Sequence, residues 1–267
     1  MTPFEILKHT PKTNCGQCGH PTCLAFAAAV AKSGESVDKC PFIERQGLTI
    51  AAAPGHALDD LLHQHDLALV EHLKGKVAGL DFAAIATRLG ARGELQDGCP
   101  ALSFRYLGQQ VRLSREGILL GGLPPDDPRD QILLYNYVHS QGGEKPREDW
   151  VGLESLPNSI SKVRTLATYC ENRLAELFDQ TPVERVAEAV ARLDGTMRQE
   201  ATATLAAVIP VLPHLPQQLL FWAAEPEDGF AARAKVLFDR EVLHFLDLES
   251  LVFSAERMSD RFAALLR

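Results

Sequence analysis

The stretch Asn14-Cys15-Gly16-Gln17-Cys18-Gly19-His20-Pro21-Thr22-Cys23 places three thiols within nine residues, and Cys40 adds a fourth. The spacing is C-x2-C-x4-C-x16-C. The other two of the six cysteines, Cys99 and Cys170, are scattered. Because no secretory signal opens the chain, we expect reduced thiols, and clustered reduced thiols typically hold a metal. The stretch therefore predicts a small module organised around a metal site.

The residues between the thiols suit a tight metal-binding loop. Gly16 and Gly19 permit a positive φ, which lets the loop turn its amides toward sulfur. Pro21 suits the first turn of a helix, and the Ala-rich residues 22–33 predict that helix. Cys23 would then lie in the first helical turn. There the helix dipole and free N–H groups favour an anionic thiolate-ligated cluster.

Two other interpretations fit the same cysteines. Structural zinc also takes four cysteines, usually as two C-x2-C-like pairs, which x4 followed by x16 matches poorly. The other alternative is that the thiols are redox-active or incidental. The spacing alone thus favours an iron–sulfur cluster and leaves zinc and redox thiols as alternatives.

A family resemblance adds to this reading. The run from Phe4 to Ala27, together with Asp38-Lys39-Cys40-Pro41, resembles the N-terminal [4Fe–4S] module of the large subunit of corrinoid iron–sulfur proteins from the acetyl-CoA pathway. It is also similar to a module in the B subunit of Rnf electron-transport complexes. The resemblance implies that one [4Fe–4S] cluster is bound by all four clustered cysteines: Cys15, Cys18, Cys23 and Cys40. It covers only residues 3–45, so it does not carry over the activities of those proteins.

Charge and composition indicate a boundary after this module. The chain has 267 residues, 46% of them hydrophobic, and a net charge of -8, which argues against nucleic acid as a partner. Residues 1–50 hold five Lys/Arg and four Asp/Glu, a net +1, which leaves -9 for the remainder. We predict a cluster module over 1–48 and a separate domain over 55–267.

With no apolar run of about 20 residues to span a bilayer, we expect a soluble, cytoplasmic protein.

The remainder of the chain predicts an α+β fold, in which mixed helices and antiparallel strands follow the small four-cysteine module. Helices are predicted from apolar spacing at 57–74, 82–89, 130–141, 159–178, 182–193 and 248–266. Strands are predicted at 101–107, 110–114, 117–120, 206–212, 218–223 and 234–239. The hydroxyl of Thr181, just before Pro182, is predicted to cap the helix that follows it.

Three segments of this second part also carry a resemblance. Leu133-Leu134-Tyr135-Asn136-Tyr137, Leu219-Leu220-Phe221-Trp222-Ala223 and Ala234-Lys235-Val236-Leu237-Phe238-Asp239 resemble a domain family without assigned function. That family often follows such an iron–sulfur module in anaerobes. The likeness implies a fold unit and no chemistry.

Sequence motifs for other cofactors are missing. His139-Ser140-Gln141-Gly142 matches part of the corrinoid signature D-x-H-x-x-G, but Tyr137 stands at the Asp position. The chain has neither a G-x-x-x-x-G-K-[ST] phosphate loop nor a G-x-G-x-x-G dinucleotide fingerprint. No catalytic residue is therefore assigned.

Several histidines are candidates for further ligands. His56, Asp60 and His63 share a helix face, which is a metal-binding arrangement, although a solvated polar face is the simpler expectation. His20, between two ligand cysteines, is close enough to influence a cluster. We nevertheless expect its side chain to face water.

The remaining cysteines and several aromatic residues are expected in the core. Cys99 and Cys170 are predicted to be buried small apolar side chains, because no basic neighbour is visible that would activate either thiol. Trp222, Tyr135 and Tyr137 are predicted to pack in the interior. None of these five is assigned a functional role.

Two functions follow from the sequence. In the first, the protein transfers single electrons at low potential to a redox partner, such as a corrinoid protein or a methyltransferase, in anaerobic metabolism. In the second, it is a binding or sensory module: the cluster is structural and the larger domain recognises a partner. Whether the chain is also an enzyme is left open.

Overall fold

The computed structural model describes residues 3–20, 22–33, 35–44, 55–96 and 98–267, with side chains described except at 32–33, 55–62 and 96. The chain divides into two compact units, Met1–His65 and Asp66–Arg267. Each unit has its own group of buried side chains.

The first unit is small and has few buried residues. Its described helices are α1 (Pro3–Lys8), α2 (Cys23–Ser33) and the start of α3 (Gly55–Ala78), with a 3-10 turn at Val37–Lys39. The buried side chains come mainly from α2 and are Ile6, Phe26, Ala27, Val30 and Cys40. The predicted helix over 22–33 is confirmed, with its first helical residue at Cys23. Such a core is small for independent folding.

The second unit contains two antiparallel sheets. The first has strand order β1-β2-β3-β4, with β1 Arg92–Gln96, β2 Cys99–Tyr106, β3 Gln109–Ser114 and β4 Ile118–Leu120. The second has order β5-β9-β8-β7-β6, with β5 Trp150–Gly152, β6 Thr196–Arg198, β7 Leu205–Leu212, β8 Leu215–Trp222 and β9 Arg233–Asp239. The edge strands β5 and β6 have three residues each.

Helices cover these sheets and fill the connections between strands. After α3 they are α4 Phe82–Ala86, α5 Pro128–His139, α6 Ile160–Leu166, α7 Asn172–Asp179, α8 Val183–Arg192 and α9 Leu248–Leu266. One contiguous core joins the helices to both sheets. In β8 the residues alternate between buried and half-buried, as expected for a strand with one face on the core.

A buried ion cluster ties α5 to α9. Arg257 on α9 donates from Nε and Nη2 to the two carboxylate oxygens of Asp130 on α5, each at 2.8 Å. Tyr106 of β2 donates its hydroxyl to the same Asp130 at 2.7 Å. The remaining guanidinium nitrogen, Nη1, lies 2.9 Å from Asp260 and 3.1 Å from Asp127. Every charge in this cluster therefore has an opposite partner, which burial requires.

The α+β fold class is confirmed, and the predicted helix over 248–266 matches α9 residue for residue. Strands β1, β5 and β6 were not predicted. The sequences of β1 and β6 are largely polar, and β5 is only three residues long, so their strand conformation is set by pairing with neighbours.

One predicted helix is interrupted. The helix over 159–178 is present as α6 and α7, joined by a π-helical turn at Ala167–Glu171. Glu171 in that turn is mostly buried, and its carboxylate accepts the Val236 backbone N–H of β9 at 3.1 Å. The extra residue of the turn thus brings a carboxylate to the sheet.

The predicted cap at Thr181 was wrong. Its hydroxyl donates to the Leu177 carbonyl at 2.7 Å, at the end of the preceding helix, and α8 has Pro182 at its cap without a side-chain bond. A threonine between two helices can donate to a free carbonyl at the end of the first helix or cap the start of the second. Here the Thr181 hydroxyl bonds to α7.

The two remaining cysteines and the three aromatic residues that were expected in the core differ in their burial. Cys170 is buried as predicted, with its thiol donating to the Ala255 carbonyl, and Tyr135 and Tyr137 are buried in α5. The prediction for Cys99 was wrong, because its side chain is exposed at the start of β2. Trp222 is half-buried, with the Arg233 guanidinium 4.4 Å above its ring.

Among the described residues, the structure contains no helix that is both long enough and apolar enough to cross a membrane.

The ion cluster generates a stability prediction. Asp130→Asn removes the charge that balances buried Arg257, so we expect the free energy of unfolding to fall by about 3 kcal/mol. Asp149→Asn is the matched control, because Asp149 pairs with Arg240 at the surface and its loss is expected to cost less than about 1 kcal/mol. Urea unfolding followed by the fluorescence of Trp150 and Trp222, the two tryptophans of the chain, reports on this unit. Equal losses in both variants would contradict the prediction.

Candidate iron–sulfur site

The loop that carries the first cysteines has an unusual backbone. Gly16 and Gly19 have φ of +74° and +84°, as their sequence positions predicted, and Asn14 has φ +52°. The Gly19 N–H donates to the Gly16 carbonyl at 2.9 Å and closes a tight turn around Cys18. Any other residue at either position would have to adopt the left-handed backbone conformation, which costs free energy. The glycines therefore allow the thiols to follow one another at such short spacing.

Two side chains fix the start of α2. The Asn14 side-chain oxygen accepts the backbone N–H of Cys23 at 2.8 Å, which joins the beginning of the loop to its end. The Thr22 hydroxyl accepts the Ala25 N–H at 3.0 Å and caps the helix. Cys23 is thus held as the first residue of α2, at the positive end of the helix dipole.

The four thiols differ in exposure. Cys15 is exposed and Cys18 partly exposed, whereas the exposed fractions of Cys23 and Cys40 are only 7% and 6%. Cys18 and Cys40 pack against the same small core, beside Phe26 and its neighbours. The site therefore has a buried side, formed by α2 and the turn before Cys40, and an open side at the loop.

The loop supplies a backbone hydrogen bond to sulfur, as the sequence predicted. A hydrogen bond from the Gln17 backbone, followed by one from the Thr13 side chain, lowers the pKa of the Cys15 thiol. The thiolate is the form that binds iron. Hydrogen bonds from backbone amides to the ligand sulfurs are also one of the factors that set the reduction potential of a cluster.

A single metal ion and an iron–sulfur cluster require different arrangements of the four thiols. Within the described ranges, no group of three or more Cys, His, Asp and Glu side chains is gathered tightly enough for one metal ion. Zinc would require its four thiolates within about 2.3 Å of one point. An iron–sulfur cluster takes its thiolates on different irons, so the ligands can be spread around it. The donor set is four cysteines, a set that iron–sulfur clusters use; Cys23 is buried at the start of α2, and Cys40 is buried in the small core.

The prediction that His20 faces water was wrong. Its Nε2 lies 2.7 Å from Glu35 Oε2, and its ring packs 5.8 Å from that of Phe26. Lys39 also binds Glu35. The hydrogen bond from Lys39, ahead of the contact with His20, lowers the pKa of the Glu35 carboxyl.

Glu35 connects the two parts of the module that carry the cysteines. His20 belongs to the cysteine loop, and Lys39 immediately precedes Cys40. By accepting from both, Glu35 holds the loop and the returning segment together. The roles of Asn14 and Glu35 were not predicted, since neither residue stands at a cysteine position of the motif, although an asparagine before the first cysteine is a typical residue for a left-handed φ.

The second histidine group remains untested. The side chains of His56 and Asp60 lie outside the described residues, while His63 is exposed on α3. The solvated polar face expected here therefore stays a prediction, as does the metal site considered beside it.

These geometric features coincide with a similarity to known iron–sulfur proteins. Residues 11–42 match the family described as "Putative Fe-S cluster". The corrinoid/iron-sulfur protein large subunit of Moorella thermoacetica is 51% identical over 57 residues, 20% of this chain and 13% of that subunit. The acetyl-CoA decarbonylase/synthase complex subunit gamma 2 of Methanosarcina mazei is 46% identical over 46 residues, 17% of this chain and 10% of that subunit. The chain thus spans a small part of each relative. The shared part supports the conclusion that this chain is an iron–sulfur protein. No solved structure matches the chain.

The strain in the loop generates a prediction. Gly19→Ala places a side chain at φ +84°, which costs about 1–2 kcal/mol and is expected to shift the loop and lower the iron content of the purified protein. Gly229→Ala is a close control, because Gly229 has φ +75° and, like Gly19, has open space where the new Cβ would lie. Iron analysis of both variants makes the comparison. Equal iron contents would show that the cluster does not depend on the turn.

The second unit has its own family match. Residues 81–261, more than half of the chain, match the family described as "Domain of unknown function (DUF3786)". The matched range begins at Asp81, which caps α4, and includes both antiparallel sheets. The chain therefore belongs to the DUF3786 family, with an iron–sulfur module ahead of the family's domain.

Proposed function

We propose that this protein binds one [4Fe–4S] cluster through Cys15, Cys18, Cys23 and Cys40, and that it transfers single electrons at low potential to a partner protein. The observation that carries the proposal is the cysteine loop itself. Its glycine turn closes around Cys18, and the Asn14 side chain joins the loop to the first residue of a capped helix. When bound, the cluster would supply a site that gains and loses one electron.

The cluster type is argued from the ligand set. Four cysteines supply one thiolate to each iron of a cube-shaped cluster. The fourth ligand, Cys40, comes from a separate segment, and the Glu35 contacts to His20 and Lys39 bring that segment to the loop. The lack of two C-x2-C pairs in the sequence argues against zinc.

Exposure of the loop supports transfer to a docked partner. Cys15 is exposed and Cys18 partly exposed, so a partner would approach the site without opening the small core. Residues 1–50 carry a net charge of +1 within a chain of -8. An anionic cluster in a nearly neutral module would not repel a charged partner strongly.

The relatives suggest the chemical class of partner. They are named as subunits of a corrinoid/iron-sulfur protein and of an acetyl-CoA decarbonylase/synthase complex. By analogy, the proposed electron acceptor is a corrinoid protein, a methyltransferase or another redox protein of anaerobic metabolism. We also propose that residues 1–48 form the cluster module and that 55–267 form a separate domain, since among the described residues the larger core involves those from 69 onward.

A structural or sensory cluster is the second candidate. Cys40 belongs to the small core of the first unit, and Cys23 is buried at the start of α2. Losing the metal would therefore disturb the packing of this module. In that case the second unit would recognise a partner, and cluster integrity would control the contact.

Iron analysis tests the ligand assignment. We expect anaerobically purified protein to be brown, with about four iron and four sulfide per chain. Cys18→Ser is expected to lose or degrade the cluster, because a serine oxygen is a poorer ligand for iron than a thiolate. Cys99→Ser is the control, since Cys99 is at least as accessible but lies in the other unit. Colourless protein with one bound zinc would contradict the assignment.

Redox cycling separates the two candidate functions. If the protein is an electron carrier, dithionite is expected to bleach its visible absorption, a mild oxidant is expected to restore it, and the reduced state is expected to give an EPR signal. The reason is that a carrier cluster must be stable in both oxidation states. A cluster that decomposes on reduction, without recovery after reoxidation, would favour the structural role.

A further inference from the structure

A cleft in the second unit is distinct from the cysteine site. It has a volume of about 530 Å³ and lies between α3, the β3–β4 turn, the Pro124-Pro125 segment and α5. Binding sites for small molecules typically measure about 300–1,000 Å³ and combine apolar walls with a few polar groups. Its apolar wall includes Ile118 and the two prolines, and its polar groups include Glu71, Lys74 and Tyr135.

The Tyr135 hydroxyl is the most unusual group in this cleft. The residue is only 1% exposed, yet its hydroxyl has no hydrogen-bond partner in the described part of the chain. The other two tyrosines of the core have partners: Tyr106 donates to Asp130, and Tyr137 donates to the Leu89 carbonyl. A buried polar group without a partner is costly and is rare in native proteins. A group from outside the chain would satisfy this hydroxyl.

Two uncommitted charges of opposite sign lie on the wall of the cleft. Glu71 and Lys74 are one turn apart on α3, and neither forms an ion pair with any residue that the structure describes. The other charged lining residues are engaged. Arg112 contacts Glu94 at 3.4 Å, and a hydrogen bond from Ser114 lowers the pKa of the Glu116 carboxyl.

Tyr135 is a donor at neutral pH. Burial, and then the negative charge of Glu71, raise the pKa of its hydroxyl to about 12. The phenol therefore keeps its proton and would donate it to an acceptor oxygen. Together the cleft offers a cation and a hydroxyl donor for an anionic oxygen, and a carboxylate for a cationic nitrogen.

We propose that this cleft binds a small zwitterion with an apolar body, such as an aromatic or branched-chain amino acid. The ligand's carboxylate would contact Lys74 and the Tyr135 hydroxyl, and its ammonium group would contact Glu71. Its apolar body would pack against Ile118 and the Pro124-Pro125 segment. The proposal does not depend on the cluster or on electron transfer.

Calorimetric titration of the anaerobically purified full chain tests the proposal. The probes are phenylalanine and leucine as zwitterions, with 3-phenylpropionate as an anion-only match and phenethylamine as a cation-only match. We expect binding of at least one amino acid, and weaker binding of both single-charge probes, because each lacks one of the two charge contacts. Two outcomes would overturn the proposal: no amino acid binds at millimolar concentration, as for a cleft filled with water only, or a single-charge probe binds as tightly as the amino acid.

Three variants locate the binding. Tyr135→Phe removes only the hydroxyl and is expected to weaken binding roughly 2- to 10-fold, the effect of losing one hydrogen bond. Lys74→Met is expected to weaken it about 10-fold or more, because the lost contact is to a charged group. Lys76→Met is the matched control, since Lys76 is exposed on the same helix and does not line the cleft. Unchanged affinity in both Tyr135→Phe and Lys74→Met would overturn the proposal, and the circular dichroism of each free variant verifies its fold.

Discussion

The pair between Asp130 and Arg257 is the constraint on which the second unit depends. The two residues are 127 positions apart in the chain, and each would be prohibitively costly to bury alone. Their contact is bidentate, and it fixes α9 against α5 at one distance and one orientation. Through the Tyr106 hydroxyl the same carboxylate also fixes the first sheet. The cluster thus links two helices and one sheet whose residues are far apart in the chain.

The first unit is held together differently. Among its described residues the core has five buried members, which cover little apolar surface, and its fixed contacts include the Asn14 bond across the loop and the Glu35 contacts to His20 and Lys39. When a core is this small, metal binding to thiolates that folding brings together contributes to the free energy of folding. The two units thus reach stability by unlike means. One relies on a broad apolar interior with satisfied charges, and the other on a few hydrogen bonds arranged around sulfur.

The sequence was most informative where the physics is local. Cysteine spacing, the glycines between the thiols and the amphipathic pattern of 248–266 each depend on neighbours a few positions away, so the loop and α9 were predicted correctly. Strands β1, β5 and β6 were missed because pairing with another strand, and not the pattern of their own residues, makes them strands, and the partner of β5 is distant in the chain. The contact of His20 with Glu35 and the exposure of Cys99 likewise depend on the folded structure. The Tyr135 hydroxyl has no hydrogen-bond partner among the described residues, which is a result of three-dimensional packing that no sequence pattern predicts.

The three-residue strands at both edges of the second sheet have a consequence for behaviour at high concentration. An exposed strand edge offers unpaired backbone groups that another molecule can extend, which is a common start of aggregation. Here β5 and β6 end after three residues each, and β6 carries Arg198. An incoming strand would find too few successive N–H and C=O groups to dock in register. The long apolar strand β7 lies one position inside the edge, where β8 pairs with most of its length and β6 covers residues 206–208.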